Sequence, residues 1–164
     1  MGVLTSAYSV PKSLFERIRR KPELINALLG RGLTDAERLS ELAMNEPPNY
    51  LSFGKLWEER LEIYSSGGHT KAVQALKRAR EITDPGGSWI RYLNSRSVSA
   101  VAKGLSEAMA EQLTASAERA GLTDYYGEPM DVFVFQALAG DIEQVKAFFQ
   151  TAAEAGEYVV LDTA

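Results

Sequence analysis

The chain offers few side chains that could make or break covalent bonds. It contains 164 residues, with no cysteine and a single histidine, His69. The lack of cysteine removes disulfides, thiolate metal sites and cysteine nucleophiles together. His69 follows two glycines at the predicted start of a helix, and its neighbours in sequence supply no orienting partner of the kind that a general base needs. We therefore predict a surface or helix-capping role for His69, and we expect no catalytic residue, no metal site and no cofactor.

A second candidate for chemistry is the acidic cluster on the helix predicted around Trp57. Glu58 and Glu62 are four residues apart and so share one face of that helix. Paired carboxylates can perform acid–base catalysis or bind a cation, but a solvated acidic face is the simpler interpretation and the one that we favour. The enzyme hypothesis would instead require carboxylates and tyrosines from distant segments to converge in one concave pocket, namely Glu58, Glu62, Asp124 and Tyr125.

Two groups of aromatic and charged residues are better suited to binding than to catalysis. The predicted binding residues are Trp89 and Arg91, with Tyr92 beside them, and then Asp124, Tyr125, Tyr126 and Glu128 in a polar loop. Exposed aromatic rings and arginine dominate the binding energy of many protein interfaces. Packing of these rings in the core is the alternative interpretation. Stacking on a base or nucleotide is disfavoured because the surroundings are acidic.

Charge is distributed unevenly along the chain, whose formal net charge is -4. Residues 1–100 carry 15 lysines and arginines against 11 aspartates and glutamates, whereas residues 101–164 carry 3 against 11. An acidic surface of this kind can steer a basic partner, although many charged faces only interact with solvent. We therefore expect the partner to be another protein, with a basic surface, and we expect neither nucleic acid nor a membrane as partner.

Length and composition indicate one globular domain that spans residues 1–164. Hydrophobic residues make up 45% and charged residues 24% of the chain, which is ordinary usage for a folded protein. Apolar runs are far shorter than the ~20 residues that a membrane-spanning helix needs, and the N-terminal residues do not match a signal peptide. We therefore expect a cytoplasmic protein. The oligomeric state does not follow from the sequence.

Apolar spacing and capping motifs predict a predominantly helical α+β domain with a small sheet. Strands are predicted near both termini, at residues 3–8 and 158–161, and residues 89–93 fit a third strand or an extended segment. Thr34 and Glu37 form a capping box at the start of a helix. Apolar residues spaced by three and four predict further helices over residues 53–64, 69–81 and 98–113. If the terminal strands pair, the chain ends meet and the helices cover the sheet.

Two further segments near the C-terminus complete this prediction. Residues 130–138 are almost wholly apolar, and we expect them to be buried. Asp141, with Gln144 three residues later, is predicted to cap the last helix, which Gly156 ends.

The order and spacing of several motifs resemble a known bacterial family. The matching segments are residues 1–4, 51–57, 92–105, 124–130 and 142–161. Together they cover most of the chain and resemble the YfbM-like family, also described as the domain of unknown function 1877. The resemblance implies a compact α+β domain and no established activity. The chain departs from the family at Ser52 and Gly54, where relatives tend to have aspartates, and at Arg60 and Leu61, where relatives often have a histidine.

These observations lead to one favoured function and two alternatives. We favour a non-catalytic protein-binding module, and specifically an acidic domain that neutralises a basic protein, as immunity proteins neutralise toxins. The first alternative is an enzyme of unknown reaction with a carboxylate and tyrosine site. The second alternative is a homo-oligomeric structural protein.

Overall fold

The computed structural model describes residues 3–84, 86–87 and 89–164. Its strands are β1 (Thr5–Val10), β2 (Tyr50–Gly54), β3 (Arg80–Ile82), β4 (Trp89–Leu93) and β5 (Tyr158–Thr163). They form one antiparallel sheet in the order β2-β1-β5-β4-β3. The first and last strands are neighbours, with Ala7 opposite Leu161. The prediction of a small sheet that includes strands near both termini is therefore confirmed, and the structure shows that these two strands pair.

Helices cover both faces of this sheet, which confirms the α+β class. The helices are α1 (Lys12–Arg20), α2 (Leu24–Leu28), α3 (Asp35–Leu42), α4 (Trp57–Ser66), α5 (Thr70–Lys77), α6 (Ser95–Leu105), α7 (Ala110–Ala120), α8 (Val132–Ala139) and α9 (Ile142–Glu154). One core cluster joins the sheet to α1, α2 and α3, and a larger cluster joins its other face to α4 through α9. Within the described residues, no helix has the length and apolar character needed to cross a membrane.

Burial on both faces explains the unbroken apolar run of β5. Successive side chains of a strand point to opposite faces. Val160 therefore packs in the cluster with α1, whereas Val159 and Leu161 pack in the larger cluster. All three are buried. A strand with one solvated face would alternate apolar and polar residues instead.

The structure corrects the predicted helix over residues 53–64. Phe53 belongs to β2, and the helix begins only at Trp57. The chain turns between them, where Gly54 and Leu56 have φ values of 67° and 65°. Phe53 and Trp57 nevertheless pack against each other, with ring centroids 4.7 Å apart and ring planes tilted by 58°. Phe53 and Trp57 are four residues apart, which is the spacing of a helix, but a turn brings their side chains together.

Three other predicted elements differ from the structure. The helix predicted over residues 69–81 ends at Lys77, because the following residues pair with β4 as β3. The helix predicted over residues 98–113 is two helices, α6 and α7, with Met109 exposed at the start of the second. The N-terminal strand begins at Thr5; Met1 and Gly2 lie outside the described residues.

The apolar segment over residues 130–138 is not wholly buried. Most of this segment lies in α8, and one face of that helix is buried whereas the other faces solvent. Phe135 is buried, whereas Phe133 is 73% exposed. The expectation of complete burial was wrong because apolar residues on a short helix cannot all face one core.

Two of the predicted caps have different outcomes. At Thr34, the Glu37 carboxylate accepts the Thr34 backbone N–H at 2.8 Å, and Thr34 Oγ1 accepts the Glu37 N–H at 3.3 Å. The capping box is therefore confirmed. Asp141 lies at the predicted position before α9, but its side chain makes no capping hydrogen bond. Its carboxylate instead accepts a hydrogen bond from Arg60 at 2.5 Å.

Arg60 connects three parts of the larger core cluster. Its side chain is only 4% exposed. One terminal nitrogen donates to Asp141 and to the Leu138 carbonyl at 3.0 Å, and lies 3.4 Å from the Tyr64 hydroxyl. The other donates to the Phe53 carbonyl at 3.0 Å. A single guanidinium thus holds α4 against the end of β2 and against the junction between α8 and α9.

Asp162 on β5 makes stability dependent on pH. Burial raises the pKa of Asp162, the nearby Arg31 lowers it, Asp84 raises it, and the net direction is upward. The folded state therefore holds this proton more tightly than the unfolded state does. The resulting stabilisation is present below about pH 4, the pKa of an unfolded aspartate, and is lost as the pH rises through the folded-state pKa.

We expect this contribution to disappear in the variant Asp162→Asn. Relative to that variant, the wild-type protein should lose unfolding free energy as the pH rises from about 3 to about 7. Urea unfolding of both proteins across this range measures the difference. Parallel curves would argue against a perturbed Asp162, and an opposite slope would mean that attraction to Arg31, 3.7 Å away, outweighs burial.

Candidate functional site

The loop between α7 and α8 forms a small hairpin over residues 122–130, which we call the aromatic hairpin. Thr123 and Pro129 form an antiparallel bridge. The Asp124 N–H donates to the Glu128 carbonyl at 2.8 Å, and the Gly127 N–H donates to the Asp124 carbonyl at 2.9 Å. Gly127 has a φ of 81°, which glycine adopts without strain. Local hydrogen bonds therefore define the shape of this loop.

Asp124 organises the tip of the aromatic hairpin. Its Oδ1 accepts the N–H of Tyr126 at 2.8 Å and the N–H of Glu128 at 3.0 Å. Tyr125 and Tyr126 project from the tip and are 87% and 82% exposed. Their rings meet edge to face with centroids 5.4 Å apart. The structure thus brings the predicted group at residues 124–128 together, with Asp124 as a positioning residue and the two tyrosines accessible.

The chain around the aromatic hairpin is acidic. Residues 107–131 contain six carboxylates and one cation, Arg119. Of these six carboxylates, Asp124 is half-buried. The other five are exposed, namely Glu107, Glu111, Glu118, Glu128 and Asp131. Phe133, at the start of α8, is a further exposed ring close in sequence. An exposed pair of tyrosines therefore lies within a segment of strongly negative charge.

The structure divides the other predicted group between the two faces of β4. Trp89 is 71% exposed and Arg91 is half-buried on one face. Tyr92 points to the other face, where its ring packs against Phe15 with centroids 4.5 Å apart. Core packing, the alternative interpretation, is thus correct for Tyr92 and wrong for Trp89. Among the described residues, no hydrogen bond, ion pair or ring contact links Trp89 or Arg91 to the aromatic hairpin.

Arg91 lines a cavity of about 270 Å³ at one end of the sheet. The other polar residues of its wall are Thr5, Glu58, Lys77 and Thr163. They come from β1, α4, α5 and β5, so only the order of the strands and the packing of two helices bring them together. Sequence reasoning selected Arg91 and considered Glu58 but missed the remaining three, and no local motif marks them.

The four residues that the enzyme hypothesis requires do not converge in this cavity. Of its four residues, Glu58 lines the cavity, whereas Glu62, Asp124 and Tyr125 do not. Glu62 is exposed on α4, and Tyr125 extends from the aromatic hairpin. Among the described residues, no group of three or more histidine, aspartate or glutamate side chains is placed to hold a metal ion.

His69 lies at the start of a helix, α5, as predicted, but its side chain does not cap that helix. Its Nδ1 lies 3.1 Å from the carbonyl oxygen of Gly104, and the ring is half-buried. Because that oxygen can only accept, the bond requires a proton on Nδ1. The imidazole therefore connects the start of α5 to α6.

Comparison with known proteins yields a fold and a family. The chain is similar to a crystal structure described as a protein of unknown function, YfbM from Escherichia coli, with 11% sequence identity and a TM-score of 0.60. The alignment covers 98% of this chain and 99% of the other, and it shows a shared fold. No curated protein sequence matches the chain. A family model described as "Domain of unknown function (DUF1877)" matches residues 1–161, and the chain belongs to that family, as the resemblance predicted.

Proposed function

We propose that this protein is a non-catalytic, cytoplasmic protein-binding module whose aromatic hairpin contacts the basic surface of another protein. The observation that carries the proposal is the pair of neighbouring tyrosines, Tyr125 and Tyr126, held more than four-fifths exposed on an ordered turn. Because neither ring packs in the core, both can be buried against a partner without loss of core packing, and each would add a large contact area.

The aromatic hairpin is suited to binding because its tip is already ordered. A loop that is rigid before binding loses less conformational entropy when the complex forms. The hydrogen bonds from Tyr126 and Glu128 to Asp124 supply that order. A tyrosine side chain has only two rotatable angles, so it offers a large contact area at a small entropic cost.

The expected charge of the partner follows from the acidic surroundings. Glu118, Glu128 and Asp131 flank the tyrosines and are exposed. Opposite charge on the partner would accelerate encounter, and like charge would exclude unsuitable proteins. Neutralisation of a basic toxin is the specific role that this arrangement would serve, with the aromatic hairpin covering a functional surface of that toxin.

Replacing both tyrosines should strongly weaken binding of the partner. The variant Tyr125→Ser/Tyr126→Ser should weaken the partner complex at least about 30-fold, because central aromatic residues of interfaces are commonly worth 2 kcal/mol or more. The measurement is affinity capture from the native host lysate with wild-type and variant bait, followed by titration of the captured protein. The wild-type complex should also weaken when the ionic strength rises to about 0.5 M.

Trp89→Ser provides the matched control, since Trp89 is another exposed aromatic residue outside the aromatic hairpin. It should retain the partner. If the partner is lost with Trp89→Ser and kept by the double variant, the binding surface lies on β4 and the assignment to the aromatic hairpin is wrong. If sedimentation shows that the tyrosines instead join two copies of this chain, the protein is a homo-oligomer and the basic partner is wrong. Relief of the captured protein's toxicity on co-expression tests the neutralising role.

A further inference from the structure

We propose that the cavity at the end of the sheet binds a small organic molecule that carries one carboxylate. The site is distinct from the aromatic hairpin, and it does not depend on the protein-binding role. Its wall combines two cations, one anion, two threonines and an apolar surface. Each of these components constrains the ligand.

The charges of the wall favour a single negative charge. Lys77 and Arg91 are the cations, and Glu58 is the anion, so the wall carries a net charge of one positive unit. Among the described residues, none of the three has an ion-pair partner within 4.0 Å. The planar guanidinium of arginine matches a carboxylate with two parallel hydrogen bonds. A doubly charged phosphate would exceed the charge available.

The first turn of α4 adds to the positive potential. Trp57 and Glu58 are its first two residues, and both line the cavity. The preceding residue, Leu56, supplies no side-chain cap and has a φ of 65°, which a leucine rarely adopts. The N–H groups at a helix start attract anions, and unusual backbone conformations are often retained near binding sites.

Thr5 supplies an independent observation. Its side chain is fully buried, and its Oγ1 has no hydrogen-bond partner among the described residues. Buried hydroxyls of native proteins are nearly always hydrogen-bonded. Thr5 lies directly opposite Thr163 in the sheet, and both line the cavity. A carboxylate oxygen placed beside Thr5 would accept the hydrogen bond that this hydroxyl lacks.

The remaining wall describes the body of the ligand. Its apolar residues are Trp57, Leu61, Leu76 and Leu161. Drug-sized ligands occupy pockets of about 300–1,000 Å³, and this cavity, at about 270 Å³, is smaller. The ligand therefore has a compact apolar body, with one ring or a short hydrocarbon chain.

Titration with sodium benzoate, followed by NMR of the backbone amides, tests the site. Benzoate should produce saturable shifts at residues of the cavity wall, and the uncharged analogue benzamide should not. Arg91→Met should weaken benzoate binding about tenfold or more, because charge-assisted hydrogen bonds contribute that much. Arg80→Met is the matched control: Arg80 lies on the adjacent strand opposite Tyr92, on the other face of the sheet. It should leave the affinity unchanged.

Thr5→Val gives a second readout, since valine keeps the shape of threonine without the hydroxyl. It should raise the midpoint of thermal unfolding in the absence of benzoate, because the unpaired hydroxyl is gone, and should weaken benzoate binding. Unchanged affinity in both Thr5→Val and Arg91→Met would overturn the proposal. So would the absence of saturable shifts with benzoate and with butyrate, while binding of inorganic phosphate in their place would overturn the assignment of a single carboxylate.

Discussion

Replacing Arg60 by methionine should lower the free energy of unfolding by about 3–5 kcal/mol, the usual effect of breaking a buried ion pair. Methionine retains an apolar stem but donates no hydrogen bond. Asp141 would lose its cation, and the carbonyls of Phe53 and Leu138 would lose their donor. Buried acceptors without a partner carry the full cost of removal from water.

Urea unfolding measures this effect and its origin. Asp141→Ala should also destabilise, since it leaves a buried guanidinium without its carboxylate. The double variant Arg60→Met/Asp141→Ala should lose much less than the sum of the two single losses, because both remove the same interaction. A loss below about 1 kcal/mol for Arg60→Met would mean that the ion pair behaves like an exposed one, and would remove its role in joining α4 to the α8–α9 junction.

Replacing Gly104 by valine should lower the free energy of unfolding by about 3 kcal/mol. Gly104 lies inside α6, where glycine is normally the less favourable residue, so helix propensity alone predicts a small gain. A Cβ at this position would meet Ala72 of α5, with its Cβ at 2.8 Å and its backbone nitrogen at 2.9 Å. Backbone atoms cannot rotate away, so the two helices would have to separate.

The matched control for this prediction is Ala100→Val, an exposed position of the same helix. It should change stability by no more than about 0.7 kcal/mol, which is the propensity difference between the two residues. Thermal and urea unfolding of both variants report the comparison. If Gly104→Val is as stable as the wild-type protein, α5 and α6 can separate at little cost, and the close approach at Gly104 does not determine their packing.

Elements encoded by neighbouring residues could be predicted from the sequence. The capping box at Thr34 involves residues three apart, and its hydrogen bonds form as predicted. The terminal strand was predicted from four consecutive apolar residues and forms β5. The break between α6 and α7 could not be predicted, since the apolar spacing continues across the turn, where Met109 has an extended backbone.

The candidate sites show the same difference between features that neighbouring residues encode and features that depend on distant ones. The aromatic hairpin could be selected because its residues are consecutive and its turn is held by local hydrogen bonds. The predicted binding group at β4 was mixed, because side chains one residue apart on a strand face opposite layers. Tyr92 is consequently packed, whereas Arg91 reaches the cavity.

By itself, the sequence determined the fold class, the strands near both termini, the acidic C-terminal third and the scarcity of catalytic side chains. These depend on composition and on contacts between near neighbours. Only the tertiary structure decided that Arg60 binds Asp141 and that Thr5, Lys77 and Arg91 share one cavity. Those contacts join residues far apart in the chain, and strand order and helix packing, rather than residue spacing, determine which distant side chains meet.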